Sequence, residues 1–227
     1  MNEGTKIKEL VQTLNHHRHA YYNLNVPEIS DVEYDRMYDQ LTKLEAETGI
    51  IYSNSPTQTV GYPPVSELKK VPHPHPLLSL DKTKQVTDLC RFCGSHAALL
   101  MLKLDGLTVK LTYENGRLKE AATRGDGETG EEITHNIPAF ENVPLAISYK
   151  ERLVVTGEAF IHRKDFERLN TTLRDRNGEP YKNARNLAAG SVRSLDPENC
   201  KGRCVTFLPF NVLEGLDEGE NSNSREE

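Results

Sequence analysis

The sequence predicts an α+β protein in which a small N-terminal helical unit precedes a domain built on antiparallel strands. Apolar residues repeat at helical spacing near the N-terminus, a proline-rich stretch follows, and strand-like apolar patterns separated by turn residues fill most of the remainder. We therefore predict a helical unit at 1–52, a connector at 53–80, a larger domain at 81–213 and a disordered acidic tail at 214–227.

Two helices make up the predicted helical unit. The first spans residues 5–22, and its apolar stripe consists of Ile7, Leu10, Val11 and Leu14. The second begins at Ser30, because Ser30 to Glu33 reads SDVE, a capping box in which each side chain satisfies a backbone amide of the first turn. Its stripe continues through Tyr34, Met37, Leu41 and Leu44. The two stripes are expected to pack against each other.

The connector holds six of the twelve prolines between Ser53 and Pro76, which excludes a regular helix or a central strand there. Beyond it, Asn115-Gly116 suits a two-residue hairpin turn. The predicted strands are 99–104, 107–113, 118–123, 152–161 and 205–212. The predicted helices of this region are 85–93, 164–173 and 183–195.

Charge and hydropathy restrict the function classes. A net charge of -6 gives the whole surface no attraction to a polyanion, so a DNA role would need a local basic patch or another domain. No apolar run approaches the roughly 20 residues that cross a bilayer, and the first residues lack a signal-peptide core. We expect no membrane association and a cytoplasmic protein.

Cysteines and histidines raise the question of a metal site. Cys90 and Cys93 form CxxC, and Cys200 and Cys204 form CxxxC, which together resemble a tetrathiolate zinc site. The first pair lies at a predicted helix end, which favours free thiols. His16, His17 and His19, like His73 and His75, lack acids or cysteines at ligand spacing in the sequence. Solvated or helix-packing histidines are therefore favoured, and no resident metal is predicted.

The tetrapeptide Lys103-Leu104-Asp105-Gly106 follows a predicted strand, which can aim a side chain into a cleft. A lysine attacks phosphorus only as a neutral amine, so this role requires burial or neighbouring cations. On its own the motif is a weak indication, because Lys and Asp flanking a turn usually form a solvated pair. The later run Arg124-Gly125-Asp126-Gly127 is predicted as a tight loop opening a helix, suited to a ribose or phosphate.

Five motifs then occur in one order: KLDG, YENGRL, ATRGDGETGEEIT, GEAF and NARNLAAGSVRSLD. Together they resemble the nucleotidyltransferase domain of the bacterial NAD-dependent DNA ligases. Upstream, HHRHAYYNLNVPEISDVEYD is similar to the helical cap of that family, and SPTQTVG and LLSLD continue the similarity. The resemblance covers residues 5–213. It implies a cap that binds nicotinamide mononucleotide (NMN), followed by an antiparallel-sheet nucleotidyltransferase domain of the ATP-grasp-like ligase type.

The resemblance also implies a reaction. Lys103 would attack the α-phosphate of NAD, release NMN and retain AMP, with Mg²⁺ held mainly by phosphate oxygens and water. The cap positions that match NMN contacts are Tyr21, Tyr22, Asp31, Tyr34 and Asp35. An ordinary helix–helix packing pair remains an alternative for Tyr21 and Tyr34.

Further positions match the AMP side of the family's site. They are Ser79, Leu80, Asp105, Arg124, Glu158, Arg185, Arg193 and Phe210. Glu158 interrupts an apolar strand pattern, and a charge there is costly unless it is paired or bound to ligand. A core position remains open for Phe210, and helix-surface ion pairs remain open for Arg185 and Arg193.

The chain also departs from the family pattern. Met101 replaces a glutamate that recognises adenine, Thr156 replaces an arginine, and Asn211 replaces a glycine. After Val212 the chain enters its acidic tail, so we expect a truncated domain whose second half, with two phosphate-binding lysines, is missing. Three functions stay open: the adenylating part of a ligase that acts on nicked double-stranded DNA, an NAD- or NMN-binding module that needs a partner chain, and a nucleotidyltransferase with another substrate.

Overall fold

A computed structural model describes residues 3–22, 27–58, 67–77, 83–175 and 177–216. The disordered tail predicted at 214–227 starts too early, because Glu214 belongs to the last strand and Leu216 packs on the main core. Residues beyond Leu216 lie outside these ranges, as do Ser79 and Leu80. The helices are α1 (Glu3–Tyr22), α2 (Asp31–Thr48), α3 (Val86–Cys93), α4 (Arg163–Leu169) and α5 (Ala184–Val192), with 3₁₀ helices at Thr134–Ala139 and Pro197–Asn199. The strands are β1 (Lys70–Pro72), β2 (Leu107–Glu114), β3 (Arg117–Thr123), β4 (Thr129–Glu131), β5 (Leu153–Ile161) and β6 (Val205–Glu214).

The two N-terminal helices form a hairpin around a small core of Ile7, Val11, Leu14 and Leu41. The predicted capping box is confirmed: Ser30 Oγ accepts from the Glu33 amide at 3.2 Å, and the Ser30 amide donates to Glu33 Oε2 at 3.0 Å. The latter hydrogen bond lowers the pKa of Glu33. Gly49 ends α2 in the left-handed region, at φ 70°. Both ends of α2 are therefore set by local sequence.

A four-stranded antiparallel sheet of order β3-β2-β5-β6 organises the larger domain. The predicted hairpin turn is confirmed, since Asn115 and Gly116 both have positive φ values, 53° and 71°. One face of the sheet packs on α5 and forms the main core, which includes Val109, Leu111, Leu187 and Val192. Because side chains alternate along a strand, the opposite face is a separate surface.

That opposite face is polar. Thr108 lies opposite Glu158 and Lys110 lies opposite Thr156 across β2 and β5. Lys110 is buried, and its charge is compensated by Glu120, whose carboxylate lies 3.2 Å from Nζ. We call the Thr108, Lys110, Thr156 and Glu158 surface the polar face. The small sheet β1-β4 is joined to its edge where Ala122 bridges to Glu132.

Two sequence predictions about elements are wrong. Residues 99–104 form no strand; Leu100 and Leu102 are 97% and 84% exposed, and residues 97–105 make no backbone–backbone hydrogen bond within the described chain. A strand requires a partner, and no described strand pairs with this segment. Arg124-Gly125-Asp126-Gly127 forms a turn as predicted, but it leads into β4 rather than a helix. Asp126 Oδ1 accepts from the Thr129 amide at 2.7 Å, which closes the turn toward a strand.

The helices α4 and α5 end earlier than predicted, at Leu169 and Val192 rather than at 173 and 195. The Asn170 side chain turns away from the helix and exchanges hydrogen bonds with the backbone of Tyr181, which stops α4. None of the helices in the described ranges is long and apolar enough to cross a membrane.

Candidate active site

Glu158 is the carboxylate at the centre of the candidate site. It lies on β5, between the buried residues Gly157 and Ala159. Its Oε1 accepts from the Gly106 amide at 3.1 Å, and its Oε2 accepts from Thr108 Oγ1 at 3.0 Å. These two donors compensate the partly buried charge. They also fasten the Lys103–Gly106 turn to the polar face.

Gly106 allows this attachment because the backbones approach so closely. A Cβ at this position would lie 2.2 Å from the carbonyl oxygen of Ala159 and 2.9 Å from Cβ of Phe160. No L side chain fits at that separation. The glycine of the tetrapeptide is therefore required by the contact with β5.

Lys103 and Asp105 project from the same turn but have different surroundings. Lys103 is exposed and makes no hydrogen bond or ion pair with the residues described. Asp105 Oδ1 lies 3.3 Å from Nη1 of Arg185, on α5. The Arg185 guanidinium carbon in turn lies 5.3 Å from the ring centroid of Tyr21, at the end of α1. We call this arrangement the Tyr21–Arg185–Asp105 bridge.

The bridge brings together three segments that are far apart in sequence. Two further contacts join the cap to the larger domain: Lys182 Nζ donates to the Pro27 carbonyl, and Lys84 Nζ lies 3.5 Å from Oδ2 of Asp39. The exposed Lys84–Asp39 pair adds little stability. The end of α1 thus lies beside the lysine-bearing turn.

Arg124 stands at the end of β3, one strand away from Glu158. Its amide donates to the Thr108 carbonyl at 3.0 Å, and Thr108 is the residue whose hydroxyl binds Glu158. His73 Nε2 lies 3.1 Å and 3.2 Å from the carbonyl oxygens of Thr123 and Arg124. Burial and then the charge of Lys110 lower the pKa of His73. A neutral His73 donating to these carbonyls would position Arg124 at the rim of the polar face.

Comparison with known proteins places the sequence in a known family. Residues 65–226 match the family model of the NAD-dependent DNA ligase adenylation domain, and residues 1–61 match that of the DNA ligase-like, N-terminal NAD+-binding domain. The chain belongs to the NAD-dependent DNA ligase family. It carries the N-terminal NAD+-binding domain and the adenylation domain of these ligases.

Two curated relatives show how much of a ligase this chain represents. A DNA ligase of Ruminiclostridium cellulolyticum is 45% identical over 219 residues, which are 96% of this chain and 33% of the relative. A DNA ligase of Lachnoclostridium phytofermentans is 44% identical over 208 residues, 92% of this chain and 32% of the relative. The chain spans about a third of the length of these relatives.

The residues present fit NAD by their chemistry. A carboxylate beside backbone amides suits ribose hydroxyls, aromatic side chains suit flat rings, and arginines suit phosphates. In the cap of this ligase chain, Asp31 and Asp35 are exposed on the first turns of α2. Tyr34 is partly buried against the cap core and stacks on Tyr38 of the same helix at 6.3 Å between ring centroids. This stack lies within α2 and differs from the helix–helix pair considered for Tyr21 and Tyr34. The side chain of Tyr22 lies outside the described part.

Arg193 has a buried protein partner in the structure. Its Nε lies 2.5 Å from Oε2 of Glu131, and its Nη2 lies 2.9 Å from Oε1. The two side chains are 12% and 3% exposed. This two-pronged ion pair ties α5 to β4. The sequence left open a helix-surface ion pair for Arg193; the structure shows an ion pair, but it is buried.

Phe210 lies on β6 at an irregularity of the sheet. Gly157 pairs with Pro209 and Thr156 pairs with Asn211, so Phe210 is the extra residue of a bulge. The ring is only partly buried, which distinguishes it from the core phenylalanine Phe207 at 5% exposure. Bulges redirect side chains. This bulge lies opposite Thr156 and Gly157 of β5, and Gly157 directly precedes Glu158.

The four cysteines are free in the structure. Burial raises the pKa of Cys200 to about 11. Among the described residues, the group of metal-ligating side chains that comes together is a different one: His16, His17 and Glu28. Sequence spacing missed Glu28 because it lies twelve residues beyond His16, on the other side of the connection to α2.

Proposed function

We propose that this chain is the NAD-binding, self-adenylating part of a DNA ligase and that Lys103 accepts AMP. The observation that carries the proposal is the fastening of the Lys103–Gly106 turn to Glu158 through the Gly106 amide. It joins the proposed nucleophile's turn to a carboxylate suited to the ribose. Through the Tyr21–Arg185–Asp105 bridge, the cap contacts the same Lys103–Gly106 turn.

The proposed roles follow the two halves of NAD. Cap side chains bind the NMN half: Tyr21, Tyr22, Asp31, Tyr34 and Asp35. The AMP half is bound by Ser79, Leu80, Glu158 and Phe210 around the adenosine. Arg124 and Arg185 serve the phosphates, and Asp105 positions Arg185. Arg193 matches the same part of the site but would reach a phosphate only by leaving Glu131, so we assign it to the stability of the fold.

The proposed chemistry is nucleophilic substitution at phosphorus. The neutral Lys103 amine attacks the α-phosphorus, an N–P bond forms, and the P–O bond to NMN breaks. NMN leaves with the bonding electron pair, and the lysine nitrogen loses a proton. Mg²⁺ on the phosphate oxygens would offset the developing charge. The completed ligase would pass AMP to nicked double-stranded DNA in the cytoplasm, in the service of replication and repair.

A second candidate is an NAD- or NMN-binding module that needs a partner chain to react. The specific observation in its favour is the segment 99–102, whose apolar side chains are exposed and whose backbone is unpaired within the described chain. A continuous apolar run of this kind is typical of a strand buried on both faces. The segment immediately precedes Lys103, so a partner strand there would also order the nucleophile.

Intact-mass spectrometry separates the two candidates. The chain is incubated with NAD and Mg²⁺, alone and together with the remaining two thirds of the Ruminiclostridium cellulolyticum ligase, and Lys103→Arg serves as the control. A gain of one AMP by the chain alone supports a self-sufficient adenylating unit. A gain only in the mixture supports the need for a partner. Binding of NMN without a gain of AMP in either incubation would support the NAD- or NMN-binding module and overturn self-adenylation.

A further inference from the structure

A cluster of two imidazoles and one carboxylate lies at the end of the cap hairpin. His16 and His17 belong to the last turns of α1, and Glu28 lies just before α2. Their ligand atoms all lie within 4.8 Å of one another. The cluster is separate from the turn that carries Lys103 and is used by no step proposed above.

One carboxylate oxygen is shared by both rings. Glu28 Oε2 lies 2.7 Å from Nε2 of His16 and 3.2 Å from Nδ1 of His17. In a tetrahedral zinc site with ligand distances of roughly 2.0–2.2 Å, neighbouring donor atoms are about 3.4 Å apart. The His17–Glu28 separation already fits this value. To reach the same value, the 2.7 Å between His16 and Glu28 must widen by about 0.7 Å, and both side chains are about half exposed and free to adjust.

The nitrogen of His17 supplies a second observation. Nδ1 is inaccessible to solvent, yet among the described residues it has no hydrogen-bond partner, although Glu28 Oε2 is only 3.2 Å away. A buried, unsatisfied ring nitrogen is costly. A cation that accepted the lone pairs of both His17 Nδ1 and Glu28 Oε2 would remove this cost. The hydrogen bond between His16 and Glu28 does not remove this cost, because it leaves His17 Nδ1 unsatisfied.

We propose that His16, His17 and Glu28 form a binding site for Zn²⁺ in the cap. Two neutral imidazoles and a carboxylate suit zinc and related first-row metals, whereas Mg²⁺ and Ca²⁺ prefer oxygen ligands. Three protein ligands leave one position for water. The metal would join the C-terminal turns of α1 to the residue that precedes α2, close to Tyr21. It would thereby brace the hairpin that carries the cap side chains.

Isothermal titration of the full chain with Zn²⁺ alone tests the site, without NAD. The test variants are His16→Ala and Glu28→Gln, because both side chains are exposed enough to be replaced without loss of the fold, which circular dichroism checks. The matched control is His75→Ala. His75 Nε2 also lies near a glutamate, 3.1 Å from Oε1 of Glu214, but no second imidazole completes that pair among the described residues.

We expect one Zn²⁺ per chain and an affinity at least about tenfold weaker in both test variants, since even outer-sphere partners change metal affinity by about 10–100-fold. His75→Ala and excess Mg²⁺ should leave the Zn²⁺ affinity unchanged. Zn²⁺ binding that persists at full strength in His16→Ala and Glu28→Gln would place the metal at other residues and overturn the proposal. Absence of Zn²⁺ binding to the parent chain would overturn it as well.

Discussion

Replacing Glu131 should destabilise the fold far more than it affects NAD binding. Its carboxylate accepts two hydrogen bonds from Arg193, at 2.5 Å and 2.9 Å, and the two side chains are 3% and 12% exposed. Removing one member of a buried ion pair costs about 3–5 kcal/mol, because the other charge stays desolvated. For a chain of this size each kcal/mol lowers the melting temperature by about 2–4 °C, so Glu131→Gln should lower it by about 6–20 °C.

The assay is thermal unfolding for the melting temperature and urea unfolding for the free energy, both followed by circular dichroism, since the chain has no tryptophan to report by fluorescence. A double-mutant cycle with Glu131→Met and Arg193→Met should give a favourable coupling energy of about 1–3 kcal/mol. The double variant should be more stable than the sum of the single losses implies, because it leaves no buried charge alone. A loss below about 1 kcal/mol in Glu131→Gln, with NAD affinity reduced tenfold in Arg193→Met, would show that Arg193 serves the ligand instead.

Further perturbations test other parts of the structure. Gly106→Ala places a Cβ 2.2 Å from the Ala159 carbonyl oxygen and should abolish transfer of AMP to the protein, as read by intact mass; full transfer would show that the turn need not touch β5. Deletion of residues 1–52 should abolish NMN binding in calorimetry, and retained affinity would remove the cap from the NMN site. The pKa of Cys200 is about 11, so at pH 8 its thiol should resist iodoacetamide in mass spectrometry while exposed Cys90 reacts; equal labelling would contradict its burial. The isolated chain should not seal nicked DNA in a gel assay, given its net charge of -6, and a ligated product lost in Lys103→Ala would refute this.

Elements defined by local chemistry were predictable from the sequence. The capping box at Ser30 and the turn at Asn115-Gly116 each depend on a few adjacent residues, and the structure has both. Glu158 stood out because a charge interrupts an apolar strand, and the structure gives it two hydrogen-bond donors. In these cases the structure follows from the residues of the segment itself or, for Glu158, from the need to compensate one partly buried charge.

Features that depend on distant partners were not predictable. Residues 99–104 have the pattern of a buried strand, but a strand forms only when another strand supplies its hydrogen bonds. The short β4 takes the place of a predicted helix because β1, nearly sixty residues earlier, pairs with it. Arg193 was matched to the phosphates or to an ion pair on a helix surface, yet its partner is the buried Glu131 on β4. Periodicity carries no information about such pairings.

The most direct measurement of the central claim is to locate the adenylate within the chain. After incubation with NAD, Mg²⁺ and the remaining two thirds of the Ruminiclostridium cellulolyticum ligase, the chain is digested and its peptides are sequenced by tandem mass spectrometry. We predict a single AMP on Lys103, linked through nitrogen, and none on the Lys103→Arg chain. An adenylate on another residue, or equal labelling of Lys103→Arg, would contradict the assignment of Lys103 as the nucleophile.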